Sequence, residues 1–430
     1  MYLLYSLIYI IVLIFIFPFE YFKRPEDLRK RWLREKFGFF KFNRETLTPL
    51  GKGGNGGIVW VHAVSVGEVM AALPLLKSLR KRYPSKSIIL STITDTGQKV
   101  ARERSPESTI IVYLPFDITS ILNTVLKRTK PEILIVIETE LWPNIFRVFK
   151  ENGVHVILLN GRISEKSFTG YKNISFFMKR VLSYVDFFGM QDEICAERIK
   201  SLGINSSKVM DIGNFKFDTI PPSHIPEWTE KIKGPVITAG STHKGEEEFI
   251  TSVYLELKKD FPDLNIIIAP RHPERFKEVE DMFSSKGMSV IKRSTLSTQQ
   301  SRSNPIKGEM ILLDTVGELS AIYGVSDIAI IGKSFKGYGG QNPLEPAYWG
   351  RPILCGPHME NFPIIKNFYN IGAALEVDEK GLYSKLKELL MSPEKAKEIG
   401  SKAQQLYRKN TGAVDRAMEI IARYVNAINP

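Results

Sequence analysis

The feature that most constrains the fold is a regular alternation of short apolar runs with stretches of helical periodicity. The runs fall at residues 58–61, 88–93, 110–114, 133–137, 156–159, 186–190 and 209–212, and a second series at 236–239, 266–269, 311–313, 328–331, 353–355 and 373–377. Strands that are apolar at nearly every position are buried on both faces, and helices between them supply the cover, so the pattern predicts parallel α/β sheets. Between the two series lies 219–235, with Pro221, Pro222, Pro226 and Pro235, which reads as an interdomain connection. A chain of 430 residues with 43% apolar content is long enough for two cores. The expected architecture is two Rossmann-like, doubly wound domains facing each other across a cleft, at 58–220 and 236–405, joined by a linker at 221–235. A C-terminal helical segment, 393–427, is long enough for its last part, 406–430, to pack back on the first domain.

Ahead of the first strand, residues 1–19 contain no Lys, Arg, Asp or Glu, close to the ~20 apolar residues of a membrane span, without the basic start or cleavage site of a secretory signal. Residues 1–22 are therefore expected to be a membrane anchor. In 23–57, Lys23, Arg24, Arg29, Lys30, Arg31, Arg34 and Lys36 interleave with Trp32, Phe37, Phe39 and Phe40, and the Gly-rich linker 51–57 follows. Basic residues directly after the apolar stretch place the remainder on the cytoplasmic side and suit an anionic membrane surface. The net charge of +12 is concentrated there, and no nucleic-acid-binding signature accompanies it. Cys195 and Cys355 stand far apart in no metal-ligand spacing, and no Asp-x-Asp pair or His cluster marks a metal site.

Polar groups gather at the carboxyl ends of the strands, where open parallel sheets bind ligands. Glu68 follows the first strand across Val64-Ser65-Val66-Gly67, at the start of a helix carrying Leu73, Leu76 and Leu79. A carboxylate there can move a proton, and equally can serve as a helix-capping acid worth ~0.3–1 kcal/mol. The fourth strand runs into Glu138-Thr139-Glu140-Leu141-Trp142, open to catalytic, capping or metal-binding readings. Asn160-Gly161-Arg162 follows the fifth, and Lys216 sits between Phe215 and Phe217, either balancing an anion or merely solvated.

In the second half, Ser241-Thr242-His243 opens a helix in a way that suits an anion or an ordinary cap. Pro270-Arg271-His272 forms a rigid turn, Val316-Gly317-Glu318 follows the next strand, and the glycine-rich loop 332–340 feeds Asn342, Pro343, Leu344 and Glu345. Such a loop suits a nucleotide, its amides facing phosphate and the acid facing ribose hydroxyls.

The ordered set H-A-V-S-V-G-E-V (62–69), I-E-T-E-L-W-P-N (137–144), G-N-F-K-F-D (213–218), A-P-R-H-P-E-R (269–275), V-G-E-L (316–319), G-G-Q-N-P-L-E-P (339–346) and G-P-H-M-E-N-F (356–362) resembles the bacterial 3-deoxy-D-manno-octulosonic acid (Kdo) transferases of lipopolysaccharide assembly. The likeness spans nearly the whole chain, with departures at Gln341, where His is usual, and at Lys333-Ser334-Phe335, where a second glycine is usual.

What the resemblance implies is a GT-B glycosyltransferase at the cytoplasmic face of the inner membrane. It would move Kdo from CMP-Kdo to lipid IVA without a metal or other cofactor, the acceptor on the first domain and the donor on the second. Carried over by motif, Glu68 would be the general base, with Glu138 and Lys216 assisting. Pro270, Arg271, Val316, Gly317, Glu318, Asn342, Pro343, Leu344 and Glu345 would hold CMP. A non-catalytic nucleotide sensor or a GT-B enzyme using another nucleotide sugar are the competing readings.

Overall fold

The computed structural model describes residues 1–41, 57–218, 224–296, 305–337 and 339–425; residues 51–56 of the Gly-rich linker, 219–223 of the connection and Tyr338 lie outside them. Two compact units comprise Met1–Thr219 with Asn410–Pro430, and Ile220–Lys409.

The first unit holds seven parallel strands, β1 (Ile58–His62), β2 (Ser87–Thr92), β3 (Thr109–Tyr113), β4 (Pro131–Ile137), β5 (His155–Gly161), β6 (Phe187–Met190) and β7 (Val209–Asp211), in the order β3-β2-β1-β4-β5-β6-β7. Period-two alternation divides each strand between two cores: Trp60, Leu134 and Val136 pack with Phe146 and Phe149 on one face, while Val59, Val61, Ile133 and Ile135 pack with Leu75 and Leu76 on the other. Strand order reverses between β1 and β4, which makes their carboxyl ends the switch point at which ligands bind in open α/β sheets.

The second unit repeats the plan. The short β8 (Ile232–Lys233) pairs with β12 (Ile306–Lys307), outside a sheet of β9 (Val236–Thr242), β10 (Asn265–Pro270), β11 (Ile291–Lys292), β13 (Met310–Leu312), β14 (Ile328–Ile331), β15 (Ile353–Cys355) and β16 (Ala374–Glu376). Its order, β11-β13-β10-β9-β14-β15-β16, puts the switch point between β9 and β14. The two-residue strands β8, β11 and β12 were not legible as apolar runs, because a strand that short carries no periodicity. Close approach at the switch point depends on two glycines: a Cβ on Gly240 would lie 1.8 Å from the Tyr323 hydroxyl, and one on Gly332 would lie 2.3 Å from the Ser241 carbonyl oxygen.

Of residues 393–427, expected as one helical segment, 426–427 lie outside the described residues and the rest hold two helices, Pro393–Asn410 and Ala413–Val425. Gly412 adopts φ +80° between them, and Asp218 accepts the N–H groups of Gly412 and Val414 at 2.6 Å each, capping the second helix. Ala396 and Ile399 belong to the core of the second unit, whereas Ala413, Ala417, Ile420 and Ile421 join the β1–β4 core of the first.

The N-terminal helix Tyr2–Phe22 is long and apolar enough to cross a membrane by length and composition, yet one of its faces packs along the first unit. Tyr2, Tyr5, Ser6, Tyr9, Leu13, Phe17 and Tyr21 follow helical spacing on that face. The Tyr5 hydroxyl donates to Asp117 Oδ2 at 2.7 Å, Asp117 N donates to the Tyr9 hydroxyl at 3.2 Å, and Asn144 Nδ2 donates to Ser6 Oγ at 3.0 Å. The opposite face, with Leu3, Leu4, Leu7, Ile14, Phe15 and Phe19, is exposed. Part of the basic-aromatic segment is buried: Trp32 and Lys36 in the following helix, Glu26–Lys36, and Arg24 just before it, with Arg24 Nε paired to Asp95 at 3.0 Å. Lys23 and Lys30 remain exposed.

Candidate active site

Glu68 lies in the first turn of helix Val66–Arg82, directly beyond β1. Its Oε2 accepts the Val64 N–H at 2.7 Å and its Oε1 accepts the Ser65 hydroxyl at 3.1 Å. The sequence Ser65-Val66-Gly67-Glu68 is thus a variant of the capping box, with the glutamate reaching back to the chain before the helix. Capping does not exhaust the carboxylate, because each oxygen keeps an open lone pair. Burial pushes the Glu68 carboxyl up to about 7; the Val64 N–H pulls against the rise, and the charges of Glu138 and Glu140 add to it. Glu140 is also raised, by burial and then by Glu138. The structure therefore gathers Glu68, Glu138 and Glu140 at the β1/β4 switch point. Glu138 is held in the left-handed region, φ +61°, with its N–H on the Leu159 carbonyl at 3.0 Å. A non-glycine residue in that conformation costs of order 1–3 kcal/mol and is characteristic of functional turns.

Lys216 stands on the 3₁₀ turn Phe215–Asp218, half-buried between the fully buried Phe215 and Phe217. Among the described residues no carboxylate reaches ion-pair distance of its ammonium. The turn is fixed by an amide network spanning three strand ends. Asn160 Oδ1 accepts the Phe215 N–H at 3.0 Å, Gln191 Nε2 donates to the Asn160 carbonyl at 3.0 Å, and Asn214 Nδ2 donates to Gln191 Oε1 at 3.1 Å. Gln191 was missed in the sequence, where a lone Gln after β6 carries no signal. Phe215 also packs in the core with helix Val66–Arg82, so the turn bearing Lys216 rests on the helix bearing Glu68.

Asp117 is a second residue the sequence did not single out. It is buried, and its Oδ1 and Oδ2 accept the N–H groups of Ile145 and Asn144 at 2.7 and 3.1 Å, capping helix Pro143–Glu151 from a distant loop. Burial raises its carboxyl to about 6 against the pull of those hydrogen bonds. The segment Glu138–Trp142 is thereby pinned between β4 and a helix start held by Asp117.

In the second unit, Pro270 ends β10 and Arg271 follows it, exposed, with its N–H on the Thr242 carbonyl at 3.0 Å. Asn342 Nδ2 donates to Glu345 Oε1 at 3.2 Å, while Asn342 Oδ1 accepts the Leu344 N–H at 3.1 Å. Burial raises the Glu345 carboxyl, and the Asn342 hydrogen bond and the positive charge of Arg271 oppose the rise, so Arg271 and Glu345 share one electrostatic environment. Pro343 and Leu344 are buried under that turn. Val316 is exposed and Gly317 takes φ +97°, an open turn. The Glu318 side chain is engaged elsewhere: Arg293 donates to it from two nitrogens at 2.8 and 2.9 Å, and Thr315 also donates. Burial acts upward on Glu318, but those bonds outweigh it and hold the carboxyl below its usual range.

The glycine-rich loop differs from expectation. The N–H groups of Lys333, Ser334 and Phe335 point at Glu246, at 2.7, 3.0 and 3.0 Å, and the His243 N–H joins them at 2.9 Å. Those amides, read from sequence as facing phosphate, face the protein's own buried carboxylate instead. Glu247 beside it is paired in the same buried layer with Arg275 at 2.7 Å. Among the described residues, no group of three or more His, Cys, Asp or Glu could hold a metal ion.

Residues 31–219 match the family model described as 3-Deoxy-D-manno-octulosonic-acid transferase (kdotransferase). A 3-deoxy-D-manno-octulosonic acid transferase of Haemophilus influenzae is 32% identical over 402 residues, covering 91% of each chain. One of Rickettsia felis is 31% identical, covering 86% of this chain and 79% of that protein. Among solved structures, MurG of Acinetobacter baumannii is similar in fold alone, with TM-score 0.53, 12% identity, and coverage of 86% of this chain and 99% of that one. The doubly wound pair of domains is the GT-B type, and near-full-length identity to curated transferases fixes the chemistry more narrowly than fold does. This chain belongs to the Kdo transferase family, the glycosyltransferases that add Kdo in lipopolysaccharide synthesis.

Proposed function

We propose that the protein transfers Kdo from CMP-Kdo to lipid IVA, with Glu68 as general base and without a metal ion. The observation that carries this reading is the Glu68 carboxyl at about 7 beside Glu138 and Glu140, at the switch point of the first sheet. A base is most effective when its pKa lies near the working pH. Glu68 removes the proton of an acceptor sugar hydroxyl as that oxygen bonds to the anomeric carbon of Kdo. The bond from that carbon to the phosphate oxygen breaks, and CMP leaves with the electron pair. Lys216, a cation without an ion-pair partner among the described residues, and Glu138 assist around the transition state.

CMP is held on the second unit by Pro270, Arg271, the turn Val316-Gly317-Glu318 and Asn342 to Glu345. With its carboxylate engaged by Arg293, Glu318 contributes through its backbone. The exposed apolar face of helix Tyr2–Phe22, with Lys23 and Lys30 beside it, suits an anionic membrane surface and a place on the cytoplasmic side of the inner membrane.

The test is turnover of full-length protein in detergent on lipid IVA and CMP-Kdo, with product identified by mass spectrometry. CMP inhibits and UDP does not if the donor is right. Turnover unaffected by chelator supports the metal-free step. A product that forms from a UDP-sugar instead sinks the donor assignment.

A further inference from the structure

Asn160, at the carboxyl end of β5, combines three local irregularities. The β5–β6 pairing shifts register between Leu159 and Gly161, so Asn160 is the extra residue of a bulge. Its φ is +57°, and its fully buried side chain leaves Nδ2 without a hydrogen-bond partner among the described residues. The sheet has no need of this. On either side, β4 pairs with β5 and β6 with β7 in unbroken register. Bulges next to active sites re-aim a side chain, and a strained residue or an unsatisfied buried donor persists where the surrounding site makes use of it.

What the bulge aims is Asn160 Oδ1, onto the Phe215 N–H at 3.0 Å. The next N–H, that of Lys216, is held by Asn214 Oδ1 at 2.9 Å. Gln191 joins the two asparagines, its Oε1 accepting Asn214 Nδ2 at 3.1 Å and its Nε2 donating to the Asn160 carbonyl at 3.0 Å. The orientation of each amide follows from a backbone group. Asn214 must turn Oδ1 to the Lys216 N–H, which leaves Nδ2 for Gln191, and Gln191 must then turn Nε2 to the Asn160 carbonyl. The ring of amides thus closes on two consecutive N–H groups of the turn Phe215–Asp218. It holds the backbone of Lys216 and not the ammonium, which has no hydrogen-bond or ion-pair partner among the described residues.

We propose that Gln191 is a positioning residue for Kdo transfer: acting through Asn214 and Asn160, it sets the backbone of Lys216 and so the place of the ammonium beside the helix bearing Glu68. This rests on the reading of Lys216 as a cation that assists the transition state. Placement matters because such a group works only where charge develops, and a misplacement of about 1 Å can cost about 10² in rate. Phe215, in one core with Leu75 and Leu76, keeps the turn in register with the Glu68 helix.

Turnover of full-length protein in detergent, with kcat and the donor KM measured separately, tests this. Gln191→Leu, which keeps the bulk and removes both hydrogen bonds, should lower kcat by up to about 10²-fold and leave CMP affinity by calorimetry unchanged. Asn214→Ala cuts the same ring at its next link, so it should lower kcat alike, and the two changes together should be no slower than either alone. It also carries the comparison if Gln191→Leu does not fold. The deciding measurement repeats each change in Lys216→Met: with the ammonium gone, neither should lower kcat further. A loss that multiplies undiminished onto Lys216→Met overturns the proposal, since Gln191 would then act elsewhere, and so does wild-type kcat in Gln191→Leu. Wild-type kcat in Lys216→Met alone overturns instead the reading of Lys216, and the role of Gln191 with it.

Discussion

The buried carboxylate of Glu246 accepts the backbone N–H of Ser334 at 3.0 Å, tying the helix that follows β9 to the loop that follows β14. Both elements flank the switch point of the second sheet, so one side chain sets the conformation of a loop expected to lie beside the nucleotide. Glu246→Ala would strand the amides of His243, Lys333, Ser334 and Phe335, costing at least about 3 kcal/mol given the penalty for buried unsatisfied donors. The expected outcome is a lower melting temperature together with weaker CMP binding by calorimetry. Unchanged CMP affinity would show that the loop conformation does not matter to the donor.

Glu68→Gln keeps the side-chain shape and one acceptor oxygen but cannot take a proton, so kcat should fall by about 10²–10⁴. The wild-type rate should rise with pH through about 7, where the base becomes deprotonated, and level off above it. The stability effect runs the other way. The folded carboxyl sits at about 7 against an ordinary 4.5, so its contribution is full below 4.5 and is lost as pH rises through 7. The Gln variant, having no charge to bury, should melt at or above wild type at pH 8. If it instead melts lower and turns over normally, Glu68 is a helix cap and nothing more.

Asp117 joins the N-terminal helix to the helix start after Trp142. Tyr5→Phe removes one donor from that buried carboxylate and should cost about 1.5–3 kcal/mol in how firmly residues 2–22 hold to the first unit. Hydrogen exchange of that helix should speed up in the variant while the β1–β7 sheet stays protected. Equal protection would mean the aromatic contacts alone hold it.

On the donor side, Arg271→Ala and Glu345→Ala should each weaken CMP binding by about 1.5–3 kcal/mol and raise the donor KM, the scale of hydrogen bonds to charged groups. Asn342→Ala should resemble Glu345→Ala in part, because Asn342 orients that carboxylate. Calorimetry with CMP checks all three, and wild-type affinity in both Arg271→Ala and Glu345→Ala would place the nucleotide elsewhere.

The sequence by itself determined the two sheets and their site-bearing ends. Doubly buried parallel strands such as β1, β4 and β9 must be apolar at nearly every position, and that requirement is written locally. The break after strand one and the acids of Glu138-Thr139-Glu140 were equally legible, since turn glycines and clustered charges are local signals. Tertiary structure alone decided which partners those residues meet. Glu246 lies 88 residues from Ser334, and Asp117 lies 112 from Tyr5, so neither pairing leaves any periodicity to detect. The same holds for the apolar leader, where composition reports only hydrophobicity. The tyrosines of its inner face acquire meaning once Asp117 and Asn144 stand opposite them. Long-range hydrogen bonds and the burial of single charges depend on where the chain returns, and only the folded sheet fixes that.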